Sequence, residues 1–311
     1  MTDAIAVIDA DAHVEECEET FSEPFLEKPC WGRRPRVVGS NGRAFWLIED
    51  QLFPKLQGKG CHILGTPNAH ANVRTEISAL KPETIESMEM RDVEQRLRDM
   101  KKEGIALQVI YPTLFLGPRL SGDLSLLAAL YRAYNSWIAR RCAERPDQFK
   151  WVAIVPLQDV GEAVREVQRA QGLGAVGVMI PGTADDRLLN EPAFLPFFEA
   201  CSHLDLPIAI HVSWSCPSLN NLYADLFSSV NVPFVFPLLA AFVAIVGGGI
   251  LDRFPSLRLA FLEAGCEWVP FWVDRMEHFY EFAAERVPRA LPPAGRKPSE
   301  YLRGGQIYVS C

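Results

Sequence analysis

The chain has 311 residues, 49% of them apolar, and a formal net charge of -8. This apolar content can build a large core, and the length suits an α/β barrel, a fold that commonly needs about 250 residues in one domain. Nucleic acid is disfavoured as a partner, because phosphate binding needs a basic stripe and the basic residues here cluster only in pairs. We therefore expect a small-molecule substrate.

Eight cysteines are scattered along the chain without a C-x-x-C pair. No secretory leader precedes Asp3, so we expect a reducing cytoplasm, with neither a disulfide framework nor a zinc knuckle. Residues 232–251 form an apolar run about as long as a transmembrane helix. Because Pro233, Pro237 and three consecutive glycines interrupt this run, it predicts a buried helix of a soluble fold and no membrane partner.

The stretch VIDADAHVEE, residues 7–16, ends an apolar segment with several acidic residues around a single histidine. Its three leading apolar residues predict the tail of a buried strand. Asp11 and His13 are then expected just past that strand. Side chains two residues apart in an extended chain project to the same side, so this pair can reach one ion.

Residues 14–83 are rich in proline, glycine and charge, and this composition predicts an insertion. Within it, two short apolar runs flank Asn41-Gly42, a dipeptide typical of a hairpin turn. From Glu86 onward, apolar residues at helical spacing predict a helix that ends at Gly104.

The rest of the chain alternates between short apolar runs and helical patterns, which is typical of parallel β-α units. The predicted strands are residues 105–112, 149–156, 175–181, 206–212, 257–263 and 305–311, and the predicted helices between them are residues 123–144, 159–171, 192–203, 234–253 and 267–286. With the first strand, this pattern predicts a single-domain (β/α)8 TIM-type barrel over residues 1–311. The insertion follows strand 1, and the eighth strand is missing from this chain.

Three predicted strands end in residues that commonly ligate metals: Asp11 with His13, His211, and Glu263. In a parallel barrel these strand ends meet at the C-terminal rim, where active sites lie. Imidazoles and carboxylates from three strands predict a divalent metal site. Two alternatives remain, because His211 could be a core histidine and Glu263 could form a structural ion pair with a nearby arginine.

Four other residues are weaker candidates. Glu16 could ligate a second ion, although a run of acidic residues is usually a solvated turn. His70, in the insertion, is a candidate substrate contact, and Trp214 and Trp268 are predicted at the barrel rim. Together they predict a bulky, partly apolar substrate.

These segments resemble the amidohydrolase superfamily, in the branch that includes aminocarboxymuconate semialdehyde decarboxylase and resorcylate decarboxylases. The resemblance covers Asp9 to Cys311, through DADAHVEE, RDVEQRLRDMKKEGIALQVIYPT, LPIAIHVSWSCPSLNN and RFPSLRLAFLEAGCEWVPFWVDRMEHFYE. It implies that Asp11 and His13 are the first-strand ligand pair and that His211 is the fifth-strand ligand. Glu263 stands at the sixth-strand position, where many members have histidine.

Two departures from the family pattern matter. The family's eighth-strand aspartate, a metal ligand and proton shuttle, has no counterpart in this sequence, so we expect the natural chain to continue past Cys311 and supply it. Asp11 and Glu263 stand where many relatives have histidine. These carboxylates favour harder or redox metals such as iron or manganese.

Three reactions follow from this site. We expect hydrolysis of an amide, ester or lactone by metal-activated water, with Asp11, His211 and Glu263 as catalytic residues. The alternatives are a diiron monooxygenase and a non-oxidative decarboxylase of an aromatic or unsaturated acid. The predicted cofactor is one or two divalent ions of iron, zinc or manganese. A homodimer is compatible with the sequence.

Overall fold

The structure, a computed structural model, describes residues 6–40, 43–63, 67 and 85–310. Seven parallel strands form one curled sheet in which each strand pairs with its neighbours in chain order. The strands are β1 (Val7–Val14), β2 (Ile105–Pro112), β3 (Phe149–Ile154), β4 (Gly177–Pro181), β5 (Ile208–His211), β6 (Leu259–Leu262) and β7 (Ile307–Val309). The predicted barrel-type fold is confirmed, and its seven predicted strands are all present.

Helices alternate with these strands. They are α1 (Val93–Glu103), α2 (Leu124–Cys142), α3 (Val160–Gly172), α4 (Leu195–His203), α5 (Phe236–Gly247) and α6 (Trp268–Arg286). Shorter helical segments lie at Ile85–Met88, Pro217–Asn220, Leu226–Asn231, Ile250–Arg253 and Pro298–Arg303, with 3-10 turns at Glu18–Phe21, Lys28–Arg33, Leu114–Leu116, Pro192–Phe194 and Pro288–Ala290. Asp92, Asp123 and Asp159 begin α1, α2 and α3 by accepting backbone N–H groups, which satisfies donors that a helix start leaves free.

The insertion contains a three-stranded antiparallel sheet. Its strands are Arg36–Ser40, Arg43–Ile48 and Gln51–Phe53, and the first two pair as the predicted hairpin does. The predicted turn residues, Asn41 and Gly42, lie outside the described residues. Trp46, Ile48 and Phe53 are buried, so the sheet packs on the core by its apolar side.

The first strand differs from the prediction. It extends to Val14, so Asp11 and His13 lie inside its C-terminal half and not beyond it. The start of β1 is also not buried, since Val7 is 48% and Ile8 60% exposed. The physical reason is position, because within the described residues β1 pairs with β2 alone and its start lies at the open side of the sheet.

Two predicted helices are interrupted. The helix predicted from Glu86 breaks near Met90, which has a left-handed backbone with φ 48°, and α1 starts afresh from Asp92. The helix predicted over 234–253 ends at Gly247, and Gly249 has φ 72°, a conformation that glycine adopts without steric cost. The helical spacing of apolar residues continues in the sequence across both helix breaks. The sequence pattern therefore did not reveal them.

The apolar segment before β6 is a helix of the barrel. The helical run Leu226–Gly247 is long and apolar enough to span a membrane, and half of its most apolar 18-residue window is buried inside the protein. Within α5, Leu238, Phe242 and Ile245 are completely buried in the core. This burial accounts for the apolar composition, as predicted.

Candidate metal centre

Three predicted ligand residues come together at the C-terminal ends of β1 and β5. Candidate ligand atoms of Asp11, His13 and His211 all lie within 4.8 Å of one another. The Nε2 atoms of the two histidines are 3.2 Å apart, and Asp11 Oδ1 is 3.4 Å from His211 Nε2. The barrel places these residues side by side although about 200 positions separate them in the sequence.

Glu263 adds a second carboxylate to this cluster. Its Oε2 lies 3.2 Å from His211 Nε2 and 3.9 Å from His13 Nε2. The residue follows β6 with a φ of 64°, and its N–H donates to Ser310 Oγ at 2.8 Å. A positive φ is uncommon outside glycine and often occurs at functional sites. It turns the chain at the end of β6, where this carboxylate meets the histidines.

Both imidazoles are held in one tautomer by backbone carbonyls. His13 Nδ1 is 2.9 Å from the carbonyl oxygen of Pro112, and His211 Nδ1 is 3.0 Å from that of Val212. A carbonyl oxygen can only accept, so both Nδ1 atoms carry the hydrogen and both Nε2 atoms keep a lone pair when neutral. Two lone pairs that face each other at 3.2 Å require a cation. This arrangement fits a divalent metal ion.

The charges at the site favour a cation as well. Burial and the neighbouring His211 lower the pKa of His13 to about 4. Burial opposes protonation of His211, but its interactions with Asp11 and Glu263 outweigh this and raise its pKa. Asp11 Oδ1 is buried without a hydrogen bond of good geometry in the described part of the chain. The cluster therefore attracts positive charge, from a proton or from a metal ion.

A buried polar network supports the first ligand strand. Arg96, on α1, donates to the backbone oxygen of His13 at 2.9 Å and to Gln108 Oε1 at 2.8 Å. Gln108 in turn donates to Asp9 Oδ2 at 3.1 Å. Sequence reasoning missed this network. The signal was a single polar residue, Gln108, inside the apolar run of β2.

Tyr111 is a further site residue that sequence reasoning missed. Its ring centroid is 5.9 Å from those of His13 and His211, and the residue is buried. Burial and the charge of Asp11 raise the pKa of its phenol, which therefore stays protonated at neutral pH. Its place at the end of β2, before Pro112, was the available signal.

Glu16 does not join the cluster. Its carboxylate accepts the backbone N–H groups of Thr113 at 3.2 Å and Leu114 at 2.8 Å. The side chain is buried, and burial raises its pKa to about 8. In this structure, Glu16 anchors the loop after β2.

Among the described residues, no ring contact joins the predicted substrate contacts Trp214 and Trp268 to the two histidines. Trp214 is buried and lines a separate cavity of about 770 Å³. Trp268 packs its ring against Phe242 and Phe261 and donates to the carbonyl of Gly265. His70 lies outside the described residues.

Two curated relatives illustrate the similarity in sequence. The 2-amino-3-carboxymuconate-6-semialdehyde decarboxylase of Dictyostelium discoideum is 26% identical over 225 residues, which cover 70% of this chain and 58% of the relative. A gamma-resorcylate decarboxylase of Polaromonas sp. is 28% identical over 180 residues, which cover 55% of this chain and 54% of the relative. The chain thus spans little more than half the length of these relatives.

Solved structures show the same fold. An amidohydrolase from Mycobacterium avium subsp. paratuberculosis matches with a TM-score of 0.71 and 19% identity, over 99% of this chain and 82% of that one. The 5-carboxyvanillate decarboxylase of Novosphingobium aromaticivorans, solved with manganese and 4-hydroxy-3-methoxy-5-nitrobenzoic acid, matches with a TM-score of 0.67 and 22% identity, over 99% and 79%. At these identities the likeness concerns the fold.

The predicted hydrolysis of an amide, ester or lactone is wrong. The curated relatives above are decarboxylases, and they favour the decarboxylase alternative. The diiron monooxygenase receives no support from them. The prediction failed because one polarising ion serves several reactions in such a barrel, so the ligand set does not select among them.

The family profile described as amidohydrolase matches residues 8–310. This match includes all seven barrel strands except the first residue of β1, and it contains the whole histidine and carboxylate cluster. The chain belongs to the amidohydrolase family.

Proposed function

We propose that this chain forms the metal centre of a non-oxidative decarboxylase that acts on a small aromatic or unsaturated carboxylic acid. The observation that carries the proposal is the cluster of Asp11, His13 and His211 at the barrel rim. The two sequence relatives described above are decarboxylases, which supports this reaction over others in the family.

Asp11, His13 and His211 would hold the divalent ion. Manganese is the proposed metal, because two structurally similar decarboxylases contain it and a carboxylate ligand suits a hard ion. When bound, the ion would supply positive charge to hold the substrate's carboxylate and a neighbouring oxygen.

The chain's own residues would then supply one proton to the substrate. Loss of CO2 breaks a carbon–carbon bond whose electron pair stays on the substrate, so a proton must reach that carbon as a new C–H bond forms. Glu263 is the proposed proton holder, at Oε2, because burial raises its pKa while its side chain remains 44% exposed at the mouth. Tyr111, a protonated phenol, would form a wall of the site and orient the substrate.

A direct assay tests this proposal. The purified protein, loaded with manganese, is given 2,6-dihydroxybenzoate, 5-carboxyvanillate and related unsaturated acids in D2O, in air and under argon. We expect CO2 at equal rates in both atmospheres and one deuterium at the carbon that lost the carboxylate. The proposal fails if no acid releases CO2 or if turnover requires oxygen.

Two variants separate binding from proton transfer. Glu263→Gln should keep the metal but lose turnover by about 100-fold or more, since general acid catalysis typically contributes this much. His211→Ala should lose both the metal and turnover. Equal turnover of Glu263→Gln and the unaltered protein would remove Glu263 from this role.

A further inference from the structure

The helix α6 exposes three phenylalanine side chains on the outside of the barrel. Phe271 is 64%, Phe279 53% and Phe282 52% exposed, whereas Val273 and Ala283 are the buried residues of this 19-residue helix. A fully exposed phenylalanine offers roughly 200 Å² of surface, so these three leave about 300 Å² of apolar surface in water. Exposed apolar patches of this size are often functional.

Other elements of the same chain cover the two flanks of α6. On one flank, Trp272 donates through Nε1 to the carbonyl oxygen of Leu239, on α5, at 3.1 Å. On the other flank, Glu277 accepts the N–H of Ser299 at 2.9 Å. At 3.6 residues per turn, the face between these flanks points away from the barrel. This face, the α6 outer face, carries six exposed residues: Phe271, Asp274, Arg275, Phe282, Glu285 and Arg286.

The α6 outer face continues into an apolar groove between α5 and α6. The groove encloses about 350 Å³, and Val243, Trp272 and Phe279 are among its lining residues. The ring centroid of Phe279 lies 6.1 Å from that of Phe282. On the same helix, the ring centroid of Trp272 lies 5.6 Å from that of Phe271. The groove and the outer face therefore form one apolar surface that spans two helices.

The charges of the outer face complement themselves when a second copy of the helix runs in the opposite direction. Suppose that two copies pack antiparallel about a two-fold axis level with Tyr280. Asp274 then faces the partner's Arg286, and Arg275 faces the partner's Glu285, and the axis repeats each pair. A parallel arrangement would instead place like charges opposite each other.

These charges are available for contacts with a partner. Arg275, Glu285 and Arg286 form no ion pair within the described part of the chain. Asp274 contacts only the exposed His278 of the same helix, at 3.3 Å, among the ion pairs of the described residues. The outer face is therefore apolar and self-complementary in charge, as a surface that packs on its own copy must be.

Other occupants fit this surface less well. An anionic membrane attracts helices whose polar face is rich in lysine and arginine. The outer face carries as many acidic as basic residues, in a chain with a formal net charge of -8. A small molecule in the groove would leave Phe271 and Phe282 in water. A second copy of the chain covers both rings.

We infer that this chain forms a homodimer in which the α6 outer faces of two copies pack antiparallel. The partner's Arg286 meets Asp274, and the partner's Glu285 meets Arg275. Association removes the phenylalanine rings of both faces from water, which is its main driving force. The inference does not depend on the proposed decarboxylation.

Light scattering after size-exclusion chromatography tests the inference on the full chain. One chain has a mass of 34.8 kDa, and we expect particles of twice this mass at micromolar concentration. A monomer at every concentration up to about 100 µM would overturn the inference.

Exchanged charges locate the interface. Arg275→Glu places a carboxylate opposite the partner's Glu285, and Glu285→Arg places a guanidinium opposite the partner's Arg275. Each should weaken dimerisation about tenfold or more. The variant with both substitutions has opposite charges again and should dimerise within about threefold of the unaltered protein. Arg34→Glu is the control, because Arg34 is exposed in the insertion and undergoes the same change of charge. Dimers that withstand both single substitutions would overturn the inference.

A last pair of variants tests the apolar part of the surface. Phe282→Ser should weaken dimerisation about fivefold or more, whereas Phe227→Ser, at a position 81% exposed outside this surface, should not. Flotation with phosphatidylglycerol vesicles separates a second copy from a membrane, and we expect the protein not to float. Monomers that float with the vesicles, and that lose this binding on Phe282→Ser, would overturn the inference in favour of a membrane-binding face.

Discussion

Glu263 Oε2 lies 3.2 Å from His211 Nε2, at the ends of two neighbouring strands. His211 is paired with Leu262 in the parallel register of β5 and β6, so Glu263 stands one residue beyond that pair. The carboxylate, together with Asp11, raises the pKa of His211 against the effect of burial. Protons and metal ions consequently compete for one nitrogen atom.

The first prediction concerns metal affinity and pH. Because the pKa of His211 is raised, protonation blocks its Nε2 at a higher pH than in an ordinary histidine, and manganese affinity should fall about tenfold per pH unit below that pKa. Glu263→Gln removes one charge that raises this pKa, so the midpoint should move to lower pH. Manganese titrations between pH 5 and 8 measure the affinity and the midpoint of its pH dependence in both proteins. A midpoint that is the same in both proteins would contradict the coupling.

The second prediction concerns the ligands. His211→Ala and Asp11→Asn should each lower manganese affinity by about 100-fold or more, because each removes one of three clustered ligand groups. His278→Ala is the control, since His278 is exposed on α6. Metal content after dialysis, measured by elemental analysis, gives the result. Full loading of the His211 variant would exclude this cluster as the metal site.

The third prediction concerns Arg96. Arg96→Lys cannot reach all of its buried acceptors, which include Gln108 Oε1 and the backbone oxygen of His13. We expect a free energy of unfolding that is about 1–3 kcal/mol lower. Manganese affinity should fall about tenfold, because β1 loses a support for its ligands.

Arg98→Lys, on the same helix, provides the control for this variant. Arg98 is exposed and bonds to Gln95 at the surface, so its substitution should change stability by less than about 0.5 kcal/mol. Urea denaturation measures both variants. Equal stability of the two would mean that the buried network does not support β1.

The fourth prediction concerns Glu16. Its pKa is raised by burial from 4.5 to about 8, so the folded protein holds this proton more tightly than the unfolded chain. The contribution of Glu16 to stability is therefore complete below pH 4.5 and is lost progressively as pH rises towards 8. Glu16→Gln has no titrating group at this position, so its free energy of unfolding should rise relative to that of the unaltered protein as pH increases over this range. The expected rise is a few kcal/mol, from about 1.4 kcal/mol per pKa unit. Melting temperatures at pH 5 and pH 8 test this, and a constant difference would contradict it.

The strands and the ligand candidates could be predicted from sequence because their signals are local. A strand buried on both faces must be apolar along its length, and Pro112 and Pro181 end β2 and β4 because proline cannot donate to a neighbouring strand. Histidine and carboxylate at three strand ends then indicated a metal site, since parallel strands of one barrel end at one rim.

Only the tertiary structure decided which of these residues meet and which do not. Glu16 was a candidate ligand by position, but its carboxylate accepts N–H groups from Thr113 and Leu114, almost a hundred residues away. The bond from Arg96 to His13 and the cavity lined by Trp214 depend on equally distant packing. No local pattern encodes such contacts, because they arise when separate strands close into one sheet. The reaction also could not be predicted from the ligand set, because one polarising ion serves hydrolysis and decarboxylation alike, and the groups around the substrate decide between them.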